Sequence, residues 1–511
     1  MTPVLPAFTG YVPRAITRVL PDATVVNGSS WGNVWPAEYS NVTFLQPTDE
    51  NFAKMQKSFI EKQIEAYGDV SHIYTLDQYN ENTPYSGDID YLRDVSRQTV
   101  KSLKAADPKA IWMMQGWVFH FMQDFWTLDR IEAYLSGVEK NDDILILDLF
   151  SEAFPQWQRT KSYFGRPWIW CQLHDFGAIN GFHGQVQNLT NDPIEALNSA
   201  ESMVGVGLTM EGQEGNEIIY TLLLDQAWSK QPLDIEEYFR KWVTTRYAGN
   251  NSIPDGLNRA WQTIRKSAYS STLHQAFFGQ QIQLSTPRLD VDPVVYYDSK
   301  EMVQAWLHMT DAAREEPALW TNPAYKHDML DITREVLENA FKPLYDHIVR
   351  TYKANNDPSS IRKTGTTLLA LLSTLDKLLS TDKNFSLDAW IRAARAQAGG
   401  NDTVAAFFEY NARNQVTLWG PNGEISDYAA KSWGGLYGTY YLRRWRMWIE
   451  YLVETGPGEY DQVEFGKSLR EFEEGWQWER WEEGDVAAAW EEGLEEVLRD
   501  VVAEWSELLR T

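Results

Sequence analysis

The chain has 511 residues, of which 43% are hydrophobic and 23% are charged, a composition that is ordinary for a globular protein with two or three domains. Its formal net charge is −26. Because a surface this acidic repels phosphate backbones and anionic lipid headgroups, we expect neither nucleic acid nor a membrane as a partner.

The first half of the chain alternates short apolar runs with helical patterns. Strands are predicted at 3–8, 72–79, 111–118, 144–150, 167–174 and 203–210. Helical periodicity occurs between several of them, at 51–67, 89–106 and 126–137. Apolar strands that alternate with helices predict a parallel sheet covered on both faces, and the commonest closed form of such a sheet is the (β/α)8 barrel.

Only six strands are evident, and the first of them starts within three residues of Met1. We therefore expect an incomplete (β/α)8 TIM-type barrel, in a chain that is a fragment or a truncated gene product. A barrel that lacks its first strands has open edges, and open edges invite aggregation, so we also expect the chain by itself to be inactive.

From about residue 250 the strand pattern gives way to amphipathic helical periods, at 326–352, 361–380, 402–414, 427–453 and 486–509. The acidic run that begins at Glu471 has apolar residues at helical spacing and is predicted to be a solvated helix face. The predicted architecture is α/β plus all-α, with a partial (β/α)8 catalytic barrel at 1–248 and an all-α C-terminal domain at 249–511.

The sequence lacks the motifs of several common chemistries. The eight histidines are scattered, an HExxH motif is absent, and a single cysteine, Cys171, excludes CxxC chemistry, so we expect no metal site. Neither a catalytic-serine elbow nor a Walker A loop is present, and GVGLTM at 205–210 departs from the dinucleotide fingerprint at Met210. Catalysis by carboxylates, with no metal or organic cofactor, remains.

In a barrel of this type the working residues lie at the carboxyl ends of the strands. The acidic residues at or just after those ends are Glu81, Asp148, Glu152, Asp175 and Glu211. Glu81 follows Asn80, whose amide can hold a sugar hydroxyl while the glutamate reaches the glycosidic oxygen. For Glu211 the alternative is that, with Glu214 and Glu217, it only favours the positive end of the next helix.

Seven segments, in order along the chain, resemble the alpha-N-acetylglucosaminidases of glycoside hydrolase family 89. They are SSWGNVW at 29–35, YNENTP at 79–84, WMMQGWVF at 112–119, LDLFSE at 147–152, PWIWCQLHDFG at 167–177, MVGVGLTMEGQEGNEIIY at 203–220 and VTLWGPNGEISDYAAKSWGG at 416–435. The resemblance implies a retaining exo-glycosidase that removes terminal, non-reducing α-linked N-acetylglucosamine from heparan-sulfate-type chains or other glycoconjugates. It also implies that the helical domain helps to form the wall of the active site.

The resemblance implies roles for single residues as well. Glu81, in YNENTP, corresponds to the acid/base, and Glu211, in TMEG, corresponds to the nucleophile. The pocket residues that carry over are Trp31, Asn80, Trp117, Phe176, Tyr220 and Trp419. Asp148 and His174 lie in matching motifs, but a structural role is favoured for both.

Two departures from the family pattern stand out. Many relatives read HNFGGN where this chain has HDFGAI, so Ala178 and Ile179 alter a loop beside the expected pocket. The family also has a smaller N-terminal domain and the first part of the barrel ahead of TPVLPAF, neither of which has a counterpart in this sequence.

Two other functions stay open. The chain could be another retaining barrel glycosidase, since many place the acid/base in an Asn-Glu pair, or a truncated protein that binds carbohydrate without cleaving it. For the retaining reaction we expect the carboxyl groups of Glu81 and Glu211 roughly 5–6 Å apart. We also expect Trp419 to pack over the barrel mouth, so that the pocket accepts only chain ends.

Two observations about the cellular compartment of the protein conflict. Six N-x-S/T sequons, at Asn27, Asn41, Asn188, Asn250, Asn384 and Asn401, favour secretion, whereas no signal peptide precedes TPVLPAF. We expect the full-length protein to be secreted or to reside in a lysosome or vacuole. The sequence gives no indication of the oligomeric state.

Overall fold

The computed structural model describes all residues except 32–39, 180, 213–214, 249–252, 273–281, 292–294, 356, 421, 481–492 and 510–511. Contacts divide the chain into two compact units. The barrel unit comprises Met1–His174, Asn188–Thr209 and Tyr220–Pro232, and the helical unit comprises Asp175–Gln187, Met210–Ile219 and Leu233–Thr511. Two segments from the first half of the sequence, which we call the first inserted loop (Asp175–Gln187) and the second inserted loop (Met210–Ile219), are thus grouped with the later helices.

The barrel unit is built on strands. In chain order these are β1 Leu5–Pro6, β2 Tyr11–Val12, β3 Val25–Ser30, β4 Asn41–Leu45, β5 Ile73–Thr75, β6 Ile111–Gln115, β7 Ile144–Asp148, β8 Trp168–Gln172 and β9 Met203–Leu208. Six of them form one parallel sheet in the order β1-β5-β6-β7-β8-β9. All six predicted strands and the parallel α/β class are confirmed.

A second, antiparallel sheet of the order β2-β4-β3 was not predicted. Its strands are short or polar: β2 has two residues, and β3 reads VVNGSS with a register shift between Asn27 and Ser30. Val12 and Leu45 of this sheet pack on Phe52 in a small core of their own. Strand β3 leads directly into Trp31, so the sheet supports one of the predicted pocket residues.

In the part of the chain that the structure describes, seven helices accompany the parallel sheet. They are α1 Glu50–Tyr67, α2 Ile89–Ala106, α3 Trp117–Phe121, α4 Leu128–Ser136, α5 Lys161–Phe164, α6 Val186–Ser199 and α7 Glu217–Gln226. Helix α1 shows why they form where they do, because Asp49 caps its first turn by accepting the Asn51 N–H, and Gly68, with φ of 80°, ends it. The three helices predicted here, α1, α2 and α4, are confirmed.

The helical unit continues with α8 Ile235–Tyr247, α9 Asp255–Lys266, α10 Ser299–Glu315, α11 Pro323–Asn355, α12 Pro358–Leu379, α13 Leu387–Ala396, α14 Asp402–Gln415, a π-helical turn at Tyr437–Tyr441, α15 Leu442–Glu454, α16 Gln462–Gln477 and α17 Leu494–Leu509. Short 3-10 turns occur at Arg14–Arg18, Asn141–Asp143, Ile282–Leu284, Pro317–Thr321 and Lys383–Phe385. The all-helical character predicted for the second half is confirmed for the described residues, whereas 481–492, which include part of the acidic run and of the helix predicted at 486–509, lie outside them. Among the described residues no helix is long and apolar enough to cross a membrane.

The helix predicted at 427–453 is wrong in its first nine residues. The chain from 427 to 435 forms turns and irregular structure, with Gly434 in an isolated bridge to Ser386, and helix begins at Leu436, directly before the π-helical turn. Asp427 and Gly435 have φ of 64° and 84°, left-handed values that interrupt a right-handed helix. The amphipathic period in this segment therefore comes from buried residues outside any helix, which include Ala429, Ala430 and Trp433.

Candidate active site

Glu81 follows β5 and is held by two indoles within the barrel unit. The Trp31 Nε1–H donates to Glu81 Oε2 at 2.6 Å, and the Trp117 Nε1–H donates to Oε1 at 3.0 Å. Each carboxylate oxygen keeps a further lone pair, so the group can still accept a proton while both indoles hold it. The structure thus brings together three of the residues that the sequence placed in the pocket.

The loop that carries Glu81 is tied to the small antiparallel sheet. Ser29 Oγ donates to Asn82 Oδ1 at 3.0 Å and accepts the Thr83 N–H at 2.9 Å. Asn80, exposed at the surface, has φ of 29°, a value that a non-glycine residue adopts only where its surroundings impose it. The short, polar strand β3 therefore has a function in fixing the position of Glu81.

Two other strand-end acids are fully buried and support backbone. Asp148 accepts the N–H groups of Gln156 and Trp157 and the Tyr163 hydroxyl. Glu152 accepts the Leu173 and His174 N–H groups, at 3.3 and 2.6 Å. Burial raises the pKa of Asp148 to about 6 and that of Glu152 to about 8. These contacts fit the structural role that the sequence favoured for Asp148.

Tyr220, another predicted pocket residue, is 7% exposed and packs edge-to-face on His174, with ring centroids 5.1 Å apart. Both residues belong to the barrel unit. The contact orders the end of the β8 segment, and it supplies no catalytic group by itself.

Glu211 lies on the second inserted loop and is held by residues of the helical unit. Its Oε2 accepts the Gly177 N–H at 2.5 Å and the Tyr428 hydroxyl at 2.7 Å, and its own N–H donates to Asp175 Oδ1 at 3.1 Å. Phe176, predicted to line the pocket, is half-buried and directly precedes Gly177. Glu81 and Glu211 belong to different units, and their separation stays a prediction.

Glu211 lines a cavity of about 570 Å³ in the helical unit. The volume is in the range of small-molecule sites. The side chains that give the cavity its character are Glu211, Lys431, Trp390, Trp419 and Trp433. Trp419, with φ of 36°, packs edge-to-face on Tyr428 at a centroid distance of 5.4 Å. A carboxylate among aromatic side chains suits a sugar, whose C–H faces pack on aromatic rings.

Backbone strain marks the same loops. Non-glycine residues with positive φ include Asn80, His174, Ala178, Asn216, Trp419 and Asp427. Such conformations cost on the order of 1–3 kcal/mol each and persist where the surroundings enforce them, commonly at functional sites. All six lie in or directly beside the segments that carry the candidate residues.

The sequence left open that the acidic residues after β9 only favour the start of the next helix, and the structure answers this for Glu217. Glu217 is the first residue of α7 and pairs with Arg246 at 2.6 Å, so it has the helix-start position. Glu214 lies outside the described residues. Among the residues that the structure describes, no group of three or more His, Cys, Asp or Glu side chains is arranged to hold a metal ion.

Sequence reasoning missed Tyr428 and Lys431, although both lie in the segment VTLWGPNGEISDYAAKSWGG. The signal was the clustering of Gly and Pro before them, which indicated a loop but not its contacts. Their partners, Gly177 and Glu211, lie more than 200 residues earlier in the chain, and local patterns carry no information about such pairs.

Family models match both halves of the chain. Residues 1–230 match the TIM-barrel domain of alpha-N-acetylglucosaminidase (NAGLU), and residues 238–493 match the C-terminal domain of the same family. Human alpha-N-acetylglucosaminidase is 35% identical over 480 residues, which are 93% of this chain and 63% of the human protein.

Solved structures agree with these matches. A family 89 glycoside hydrolase from Clostridium perfringens, in complex with 2-acetamido-1,2-dideoxynojirmycin, superposes with a TM-score of 0.84 and 26% identity over 99% of this chain and 56% of its own. A variant from the same organism with two glutamates changed to glutamine, in complex with its substrate GlcNAc-alpha-1,4-galactose, gives 0.85 and 25% over the same shares. The chain spans about three fifths of the length of these relatives.

Proposed function

This chain belongs to the alpha-N-acetylglucosaminidase family, and on that premise we propose that it hydrolyses terminal, non-reducing α-linked N-acetylglucosamine from glycans. The observation that carries the proposal is the cavity of about 570 Å³ that combines the Glu211 carboxylate with Trp390, Trp419 and Trp433. Heparan-sulfate-type chains and other glycoconjugates with this terminal sugar are the proposed substrates.

The relatives support this substrate class. The Clostridium perfringens protein with two glutamates changed to glutamine is complexed with its substrate, GlcNAc-alpha-1,4-galactose. A second complex of that family contains PUGNAc. We therefore propose that the cavity of this chain binds an α-linked N-acetylglucosamine.

The proposed mechanism is double displacement with retention of the anomeric configuration. Glu211 Oε1 attacks the anomeric carbon while the glycosidic bond breaks, and the leaving oxygen takes a proton from Glu81. Water then attacks the same carbon, Glu81 accepts a proton from that water, and the bond to Glu211 breaks. The step needs one free oxygen on Glu211, and the hydrogen bonds from Gly177 and Tyr428 both end on the other oxygen, Oε2.

Trp31, Asn80, Trp117, Phe176, Tyr220 and Trp419 are proposed as residues that bind the sugar or shape its pocket. Trp31 and Trp117 also hold the proton donor, because their indoles bind the two oxygens of Glu81. Trp419 lines the cavity together with Glu211.

The two glutamates are tested separately with an aryl α-N-acetylglucosaminide. Glu211→Ala is expected to abolish turnover, and added azide is expected to restore it by forming the β-glycosyl azide. Glu81→Ala is expected to spare substrates with good leaving groups, because these need little protonation. Glu217→Gln serves as the control, since Glu217 pairs with Arg246 at the start of α7.

Three outcomes would contradict the proposal. If Glu217→Gln were as inactive as Glu211→Ala, the loss of activity would not be particular to Glu211, and Glu211 would not be identified as the nucleophile. If the first product seen by NMR were the β-anomer of N-acetylglucosamine, the reaction would be inverting. Binding of the substrate without turnover would identify a carbohydrate-binding protein instead.

A further inference from the structure

Glu211 is held through one of its two carboxylate oxygens. Both hydrogen bonds that its carboxylate makes with described residues, from the Gly177 N–H and from the Tyr428 hydroxyl, end on Oε2. Two donors on one oxygen fix the plane of the carboxylate and direct Oε1 away from them. The direction of Oε1 therefore depends on how firmly Gly177 and Tyr428 are themselves held.

Gly177 is held by a buried lysine. Lys431, which is 7% exposed, donates through Nζ to the backbone oxygens of Gly177 and of Ala178, the latter at 3.1 Å. Gly177 and Ala178 have φ of 61° and 59°. By binding the carbonyl groups of both residues, the ammonium group keeps this left-handed pair in place, and with it the direction of the Gly177 N–H.

The backbone at Tyr428 is held in place because the preceding residue forms a buried ion pair. Asp427, with φ of 64°, accepts from both terminal nitrogens of Arg444 at 2.8 Å, and Thr286 Oγ1 donates to it at 3.0 Å. Arg444 has no exposed surface. A bidentate arginine–carboxylate pair is geometrically specific, so the backbone from which the Tyr428 side chain extends has little freedom.

We propose that Tyr428 and Lys431 are positioning residues, which hold Glu211 in the orientation that the proposed reaction needs. This inference rests on the proposed function. Tyr428 acts directly on Oε2, and Lys431 acts through the Gly177 loop. Oε2 stays bound to both donors while Oε1 forms its bond to the anomeric carbon in the first step and loses it in the second. Neither residue needs to touch the sugar to have this effect.

The first test is Tyr428→Phe, which removes one hydroxyl and leaves the ring. A hydrogen bond to a charged group is lost, so kcat/KM on the aryl substrate is expected to fall about 10- to 100-fold. The inhibition constant of N-acetylglucosamine as a competitive inhibitor is expected to change less than about threefold, because the bond that is lost does not involve the sugar. An equal change in both quantities would overturn the proposal and make Tyr428 a sugar-binding residue.

The matched control is Tyr451→Phe, in the same unit. The Tyr451 hydroxyl accepts the Asp461 N–H at 3.1 Å and donates to the Asp461 carbonyl oxygen, so a comparable bond is lost elsewhere. Catalysis by this variant is expected to be unchanged. A similar fall in kcat/KM for both variants would mean that the loss reflects general destabilisation, and the proposal would fail.

A double-mutant cycle asks whether Tyr428 acts through Glu211 alone. In Glu211→Ala rescued by azide, the added change Tyr428→Phe is expected to have no further effect on the rate, because its target carboxylate is gone. An additional 10-fold loss there would overturn the proposal. Failure of azide rescue in Glu211→Ala itself would instead contradict the proposed function, so the two failures are distinguishable.

Lys431→Met tests whether Lys431 acts on Glu211 through the Gly177 loop. This variant keeps most of the side-chain volume but cannot bind the two carbonyl groups, and kcat is expected to fall at least about 10-fold with little change in the inhibition constant. Wild-type kcat in a folded Lys431→Met protein would remove Lys431 from the proposal. If the variant does not fold, as judged by circular dichroism, the Tyr428→Phe results decide.

Discussion

At the scale of single residues, Gly177 is a position of this site that leaves no space for a side chain. Its φ is 61°, and a Cβ placed on it would overlap the backbone oxygen of Tyr428. Gly177→Ala is therefore expected to lower both the thermal midpoint and the turnover on an aryl α-N-acetylglucosaminide, with turnover falling by more than about 10-fold.

Gly399→Ala is the matched comparison, because Gly399 has φ of 58° but no heavy atom within 4 Å of a Cβ. It isolates the conformational cost, about 1–2 kcal/mol, from the steric one. Equal losses in the two variants, measured by thermal unfolding and by activity, would show that the contact with Tyr428 is unimportant.

Glu152 couples stability to pH. Its burial raises the pKa to about 8, so the folded state holds a proton on this carboxyl that the unfolded state has released. The resulting stabilisation is complete below the unfolded pKa, near 4.5, and is lost as the pH rises through about 8. The free energy of unfolding is expected to fall on the order of a few kcal/mol over this window.

Glu152→Gln cannot ionise, so its unfolding free energy from urea titrations at pH 5 and pH 8 is expected to fall less than that of the wild type. Glu201→Gln, at an exposed position, should follow the wild type. Parallel losses in the wild type and in Glu152→Gln would contradict the assignment of the pH dependence to this carboxyl.

At the scale of elements, α5 is a left-handed turn. Its residues, Lys161 to Phe164, have φ between 51° and 58° although none is glycine. It places Tyr163 against Asp148, with the hydroxyl donating to Oδ1 at 2.9 Å. Lys161 is exposed, so Lys161→Gly is expected to relieve about 1–2 kcal/mol of strain and to cost about 0.5–1 kcal/mol in chain entropy.

The expected net gain is about 0.5–1 kcal/mol in the free energy of unfolding, measured with urea. Lys161→Ala, which removes the side chain but keeps the Cβ, should give no gain. A stabilisation by alanine equal to that by glycine would mean that the lysine side chain, and not the backbone, carries the cost.

The elements also show what the sequence could and could not predict. The six strands of the parallel sheet were predicted because each is a continuous apolar run between polar turns. The small antiparallel sheet was not, because β3 contains Asn27, Gly28 and two serines, residues that rarely indicate a strand. The irregular segment 427–435 was mistaken for helix because its apolar residues are spaced as in a helix while Asp427 has a left-handed backbone.

Some residues of the candidate site could likewise be predicted from the sequence, and others could not. Glu81 with Trp31 and Trp117 could be selected from motifs, and the structure brings these three into hydrogen-bond contact. Tyr428 and Lys431 could not, because their function depends on contacts with loops more than 200 residues earlier in the chain.

At the scale of the whole molecule, the net charge of −26 implies repulsion that the fold must overcome. Dissolved salt screens it, since the Debye length falls from about 30 Å at 0.01 M to about 10 Å at 0.1 M. The thermal midpoint is therefore expected to rise between about 10 and 300 mM NaCl at neutral pH. A midpoint that falls over this range would show that favourable ion pairs, such as Arg246–Asp328, outweigh the repulsion.

The two units share the chain as six alternating segments. Exchange of modules between relatives would meet an obstacle there, because each inserted loop begins and ends on the barrel unit but is bound by residues of the helical unit. A foreign segment in place of Leu233–Thr511 would have to supply its own equivalents of Tyr428 and Lys431 to Gly177 and Glu211, which lie on the inserted loops outside that segment. The two units are therefore expected to be inherited as one piece, and the partners on both sides of these contacts to change together or not at all.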